Sequence, residues 1–465
     1  MKKLLYFAGI VLVACIGYGI YFIDTALPIG NGYAAKYLCS QAFLAGRNPD
    51  TIFDDEVRPT NLLFALVKPE VNTHEKSVTA RGFGFRKPLT AVYREGYGCT
   101  LAVGVSPDDL RRQVPLPSRK RHDPRIPWPR GERVNSVSVP PEVNLTALND
   151  ALEWAFREPG PATKRNTRAV VVVYRGAIIA ERYAKGISPE RPMIGWSMTK
   201  TVTAALVGIL TGKGKLDILK PAPVPQWGLP GDPRGAITLD QLLRMSSGLD
   251  FVEIYGPHKD VTEMLYGNAS MADYAAAKKL RSSPDHEWSY SSGTANIVAR
   301  IVRDATGGTL EGVEAFARSA LFDRIGMHSA VIEPDASGSL VGSSYMFATP
   351  RDWARFGLLL LWDGMWFGER ILPAGWVRYM TTPTPMAPLG EYGAHIWLNA
   401  GSDEDPGKRK YPSLPRELFY LSGFNGQVVA VIPSKHLVIV RLGVTHDDSW
   451  DQEGFLRRVL EAIGQ

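Results

Sequence analysis

Two pairs of strands, one near each end of the C-terminal two-thirds of the chain, constrain its fold most. Arg168–Tyr174 and Ala177–Tyr183, separated by Arg175-Gly176, read as β-branched runs joined by a tight turn. Gln427–Ile432 and Leu437–Leu442, separated by Pro433-Ser434-Lys435-His436, read as a second hairpin, and Tyr392–Leu398 as a further strand. Between these strands the patterns are mostly helical or loop-like, as far as about residue 380. Thr146–Phe156 and Trp450–Ile463 read as flanking helices. One antiparallel sheet assembled from two distant stretches, with helices inserted between them, is an α+β architecture.

Inside that frame, Gly195-Trp196-Ser197-Met198-Thr199-Lys200 runs straight into Thr201–Leu210. Val202, Ala205, Leu206, Ile209 and Leu210 recur at helical spacing, which puts Ser197 in or just before a first helical turn. Lys200 then falls on the same face, within reach of the hydroxyl. A serine hydroxyl is a poor nucleophile at neutral pH, and a lysine whose charge is disfavoured by burial can take or shift its proton. The helix N-terminus adds positive potential where charge develops on a substrate oxygen. A Ser-x-x-Lys spacing also arises by chance, with the serine as a helix cap and the lysine in solvent, so partners elsewhere decide the matter.

Tyr290, in Trp288-Ser289-Tyr290-Ser291-Ser292-Gly293 ahead of a helical pattern, is the candidate second base. A lysine ammonium nearby favours phenolate, which takes the serine proton and returns it to the leaving group. Leu421-Ser422-Gly423-Phe424-Asn425-Gly426, entering the strand at Gln427, is the candidate oxyanion segment, because glycines beside an edge strand allow close backbone approach. The amides of Ser197 and Phe424 are its two expected donors.

Together these three segments resemble the serine β-lactamase and penicillin-binding-protein superfamily, especially its class C-like branch of esterases, D-amino-acid peptidases and 6-aminohexanoate oligomer hydrolases. Ile237–Gly248, Asp352–Leu360, Trp366–Pro373 and Ser422–Gln427 resemble the same branch, and the likeness covers about residues 145 to 463. It implies a β-lactamase/transpeptidase-like sheet flanked by helices, a nucleophilic Ser197 assisted by Lys200 and Tyr290, and a substrate site formed by Trp196, Ser292, Leu421, Ser422, Gly423 and Asn425. Two positions depart from the pattern. Ser292 stands where an asparagine is usual, and Leu421 where a lysine binds a substrate carboxylate. The resemblance therefore points to an ester or amide hydrolase, with a β-lactamase or D,D-peptidase as the alternative within enzymes and an inactive exported binding module as the alternative outside them.

At the N-terminus, Met1-Lys2-Lys3 precedes an uncharged run from Leu4 to Ile23, closed by Asp24. Twenty residues at about 1.5 Å each match a hydrocarbon core of about 30 Å, and the lysines orient the remainder outward. The expectation is a single-pass bacterial inner-membrane protein with its hydrolase domain in the periplasm. A cleaved signal peptide and a lipobox-like Leu12-Val13-Ala14-Cys15 are the competing readings. An acylated sensor is disfavoured, because only three residues precede the span. In such a compartment Cys39 and Cys99 are expected to pair, against the alternative of two buried thiols.

The expected organisation is a membrane segment (1–25), a small N-terminal region with few periodic patterns (26–105), a Pro/Arg-rich solvated linker (106–141) and the hydrolase domain (142–465). The net charge of +6 is concentrated in that linker, at Arg111-Arg112 and Arg119-Lys120-Arg121, so no nucleic-acid partner is inferred. Gly212-Lys213-Gly214-Lys215 lacks the P-loop spacing, and His286-Glu287 has no second histidine at ligand spacing. The expected partners are a small ester or amide and the membrane; no metal and no cofactor are expected, and the oligomeric state is unassigned.

Overall fold

The computed structural model describes residues 2–82, 88–112, 123, 125–134, 139–161, 163–402 and 404–464. They fall into two compact units: residues 1–115 with 252–270 and 335–337, and residues 116–251 with 271–334 and 338–465. The charged cluster Arg119-Lys120-Arg121 lies outside the described residues.

The first unit is built on a single helix, α1 (Lys2–Cys39). Its first twenty or so residues expose large apolar side chains, among them Ile10, Val13, Tyr18 and Tyr21. Its last turns bury Ala34, Ala35, Leu38 and Cys39. These pack on an antiparallel meander of β1 (Val67–Asn72), β2 (Ser77–Gly82), β3 (Leu89–Arg94) and β4 (Gly98–Leu101). The helix thus continues well past residue 25, where the sequence reading ended the membrane segment. Gly32 allows close packing against the helix Asp260–Gly267, since a Cβ there would sit 2.8 Å from Tyr266 Cβ. Cys39 and Cys99 form a disulfide that joins the end of α1 to β4 across 60 residues.

The second unit carries a six-stranded antiparallel sheet formed by β5 (Thr167–Tyr174), β6 (Ala177–Tyr183), β7 (Trp397–Leu398), β8 (Phe419–Gly423), β9 (Gln427–Ile432) and β10 (Leu437–Gly443), in the order β7-β8-β9-β10-β5-β6. The two expected hairpins meet through β10 and β5, with Val438 opposite Val173 and Val440 opposite Val171. Both faces of the sheet are covered, which is why its central strands are nearly unbroken apolar runs. On one face Val170, Val172, Ala430 and Ile439 pack against Leu148, Leu152, Phe455 and Val459 of the helices Leu145–Phe156 and Gln452–Ile463. On the other lies the helix Pro350–Leu361, where a Cβ on Gly357 would be 2.5 Å from Val438.

Two expectations are corrected by packing. Tyr392–Leu398 is a strand only at Trp397–Leu398. Ahead of it the chain turns back, with the Gly393 amide donating to the Ile396 carbonyl at 2.9 Å and His395 in the left-handed region at φ 55°. The expected solvated linker is fastened over residues 129–132: the fully buried Arg355 donates to the carbonyls of Pro129 and Gly131 and to Glu132. Proline and arginine composition marks loops, but a buried guanidinium needs several oxygens, and loop carbonyls supply them.

Closing a 60-residue loop in the unfolded chain stabilises a fold by about 2–4 kcal/mol. Replacing Cys39 and Cys99 together by serine is expected to lower the urea midpoint of the first unit accordingly. An unchanged midpoint would show that the bridge adds nothing to that unit.

Candidate active site

The site is assembled by the sharp turn Trp196–Met198 and the helix it opens, α2 (Thr199–Gly212). From Thr199 to Leu210 every residue of this helix is buried, so α2 is a core helix and its first turn is rigidly placed. Thr199 Oγ1 donates to the Trp196 carbonyl at 2.6 Å and accepts from the Met346 amide at 3.1 Å, and the Gly195 amide donates to the Met346 carbonyl. Trp196 is held at φ +47°, a strained conformation for a bulky residue that only a well-determined surrounding maintains. Gly195 has no room for a side chain, since a Cβ would lie 2.3 Å from Trp353 Cζ2.

Lys200 is almost fully buried, at 1% exposure, and its Nζ donates to three oxygens, each at 3.0 Å: Ser197 Oγ, Ser292 Oγ and the Ser343 carbonyl. The same Nζ stands 4.7 Å from the centroid of the Tyr290 ring. Ser197, Lys200 and Tyr290 are therefore brought together as the sequence predicted. Ser343 was not foreseen, because a backbone carbonyl contact carries no residue signature.

Tyr290 belongs to an aromatic wall. Its ring lies 5.3 Å from Trp397 and 5.7 Å from Tyr392, and Trp288 stands 5.6 Å from Tyr392.

The predicted substrate residues divide. Gly423 lies against the turn that carries Ser197, where a Cβ would be only 2.1 Å from the Gly195 carbonyl oxygen. Strand β7 pairs only with Phe419 and Tyr420, so Leu421–Gly423 run on past its end. Ser422 shares backbone parity with Leu418, whose carbonyl accepts from Asn399 on the β7 side, so its amide and carbonyl face that unpaired stretch of edge. The Phe424 ring packs edge-on to Trp196 at 5.7 Å.

The remaining three candidates and Trp196 are buried. Ser292 is fully buried, and its Oγ accepts from Lys200 Nζ. Leu421 is fully buried opposite Val429, on the face of the sheet that packs on the helix Pro350–Leu361. Trp196 packs between Tyr345 and Phe424. Asn425 is the left-handed residue of the turn, at φ 64°.

That turn is held by Arg441, a fully buried guanidinium that sequence reading missed inside a strand. Its Nη1 donates to the carbonyls of Asn425 and Gly426 at 3.1 and 2.9 Å, and its Nη2 to the Arg165 carbonyl and to the hydroxyls of Thr167 and Thr445. Burial pulls its pKa down to about 9, which leaves it charged at neutral pH.

His395 lies behind the lysine. Its Nδ1 donates to the Lys200 carbonyl at 3.2 Å, and its own carbonyl accepts from Thr201 Oγ1. Burial first, and then the charge of Lys200, pull its pKa down to about 3. Among the described residues no group of three His, Cys, Asp or Glu is arranged to hold a metal ion.

A serine held by a buried lysine at the head of a core helix, beside an antiparallel sheet, defines the serine β-lactamase and penicillin-binding class of hydrolases. The beta-lactamase family model matches residues 154–462, and the chain belongs to that family. It is 28% identical over 373 residues to a 6-aminohexanoate-dimer hydrolase of Paenarthrobacter ureafaciens, covering 76% of this chain and 90% of that one. Similar solved structures include a family VIII carboxylesterase (TM-score 0.53, 18% identity, 70% and 97% of the two chains). A D-stereospecific amidohydrolase from Streptomyces sp. is another (TM-score 0.50, 16% identity, 68% and 97%). The protein is thus an enzyme, a hydrolase of the β-lactamase-related class.

The depressed pKa of His395 has a consequence for stability. Between its unfolded value of 6.5 and its folded value of about 3, the unfolded chain binds a proton that the folded chain does not. Stability therefore falls as pH falls through this window, by about 1.4 kcal/mol per unit from this group. His395→Gln is expected to lose less stability than wild type between pH 6.5 and 4.5. Parallel urea midpoints for the two proteins across that range would contradict the assignment.

Proposed function

We propose that the protein is an exported, membrane-anchored serine hydrolase that cleaves an uncharged ester or amide through an acyl-enzyme on Ser197. The observation that carries this reading is the buried Lys200 amine held 3.0 Å from Ser197 Oγ. Ser197 Oγ attacks the substrate carbonyl while Tyr290 takes its proton, the Lys200 charge favouring the phenolate. The amides of Ser197 and Phe424 stabilise the oxyanion. Tyr290 then gives the proton to the departing alcohol or amine, and water, activated the same way, releases the acid and restores Ser197.

Three observations bear on substrate and location. The half-buried Trp288, Tyr290 and Trp397, packed on Tyr392, favour an apolar group. The Cys39–Cys99 bridge supports an oxidising compartment. The unbroken course of α1 from Lys2 to Cys39, exposed and apolar at first and buried later, supports an uncleaved anchor with the hydrolase on the outer side of the inner membrane.

Full-length protein in detergent is expected to lose all measurable turnover as Ser197→Ala, and about a hundredfold or more in kcat as Lys200→Ala or Tyr290→Phe. Wild-type rates in Ser197→Ala would overturn the nucleophile. Across a panel of p-nitrophenyl esters, short amides and nitrocefin, kcat/KM is expected to be highest for an uncharged ester or amide. Faster cleavage of nitrocefin than of every ester and amide would favour the β-lactamase reading.

A further inference from the structure

In the first unit, a hoop of chain from Val252 to Asp260 runs beside α1 at the end of its apolar stretch. The His258 ring stands edge-on to Phe22 at 6.1 Å, and its Nε2 lies 2.8 Å from Thr25 Oγ1. Thr25 spends its one proton on the carbonyl of Tyr21 or Phe22, so its oxygen accepts from His258. The hoop is closed by its own bonds: the Val252 amide donates to Asp260 Oδ2 at 2.9 Å, and Thr262 Oγ1 reaches the Lys259 carbonyl at 2.9 Å and the Gly256 carbonyl. Ile254 and Tyr255 nevertheless point outward, 58% and 46% exposed, with Lys259 also exposed.

A single exposed apolar residue needs no explanation, but the position of this pair is informative. The uncharged run of α1 ends at Ile23, and at about 1.5 Å per residue Phe22 and Thr25 lie within one helical turn of that end. The hoop therefore sits where a bilayer crossed by α1 meets water. That is the level at which aromatic rings and lysines collect, and at which Tyr18 and Tyr21 of α1 are exposed.

We propose that residues 252–259 rest on the phospholipid surface, with Ile254 and Tyr255 entering the headgroup region of the same bilayer and Lys259 meeting its phosphates. The inference rests on the reading of α1 as a membrane anchor. With α1 and the hoop as two points of contact, the first unit is held at a fixed height and tilt above the lipid.

The far end of the unit provides an aqueous reference. Gly82, at one end of β2, packs on Leu27, while Ser77, at the other end, pairs through Val92 with Thr100, next to the Cys99 bonded to Cys39. Glu75, in the turn before Ser77, thus stands at the end of α1 remote from the lipid.

The test uses full-length protein carrying Cys15→Ser, with the disulfide intact, reconstituted in phosphatidylethanolamine/phosphatidylglycerol vesicles. Single cysteines introduced as Leu12→Cys, Tyr255→Cys or Glu75→Cys are labelled with an environment-sensitive fluorophore and quenched by doxyl lipids. At position 255, quenching by a shallow doxyl lipid at least twofold above that at position 75 is the expected result. A label at position 12 that is quenched, with position 255 no different from position 75, would overturn the proposal and leave the anchor standing. If position 12 is not quenched either, the anchor reading fails and the proposal with it.

Discussion

The arrangement of the hydrolase unit depends on one buried amine. An ammonium removed from water is tolerated only where oxygens replace its hydration, and Lys200 finds three: one on its own helical turn, one at the start of the helix Ser292–Ala305 and one on the backbone at Ser343. These come from three separate stretches of chain, so the site exists only when the helical insertion is folded against α2. Ser292 in particular belongs to this cage. Its Oγ accepts from Lys200 Nζ at 3.0 Å, and a serine is long enough for that.

A second constraint is close backbone approach. Gly195 lies under Trp353, and Gly423 lies against the Gly195 carbonyl, so strand β8 reaches the turn that carries Ser197 with no side chain between them. Arg441 and Gln427 fix the turn beyond it, the latter donating to the Phe424 carbonyl at 3.0 Å. Buried donors that hold carbonyls from behind leave the amides on the other side of the turn free of conformational drift. This preorganisation is what an oxyanion site requires.

Much of this was legible in the sequence, for reasons that can be named. The β-branched, apolar runs at 170–173 and 437–440 read as strands, and their positions imply a sheet built from two distant stretches. Ser197 and Lys200 were legible because a three-residue helical spacing fixes geometry locally. Burial was not legible: nothing in Tyr290-Ser291-Ser292 or Leu421-Ser422-Gly423 says which side chain faces inward, so the motifs alone do not separate a substrate contact from a core side chain at Ser292 or Leu421. The meander at 67–101 is hidden by polar residues and Pro69 in strands that α1 covers for the most part. The continuation of α1 beyond Asp24 was hidden by Pro28, Gly30 and Gly32, each of which disfavours a helix locally and is overridden by packing.

The central claim is that Ser197 carries the acyl group, and peptide mapping of a trapped intermediate tests it most directly. The protein would be mixed with a slowly turned-over p-nitrophenyl ester, quenched in acid within the first turnover, digested, and analysed by mass spectrometry. The account predicts one acyl adduct, on the peptide containing Ser197 and localised to that residue, which disappears once the substrate is consumed. An adduct on any other side chain, or turnover with release of p-nitrophenol in a pre-steady-state burst but an unmodified Ser197, would contradict it.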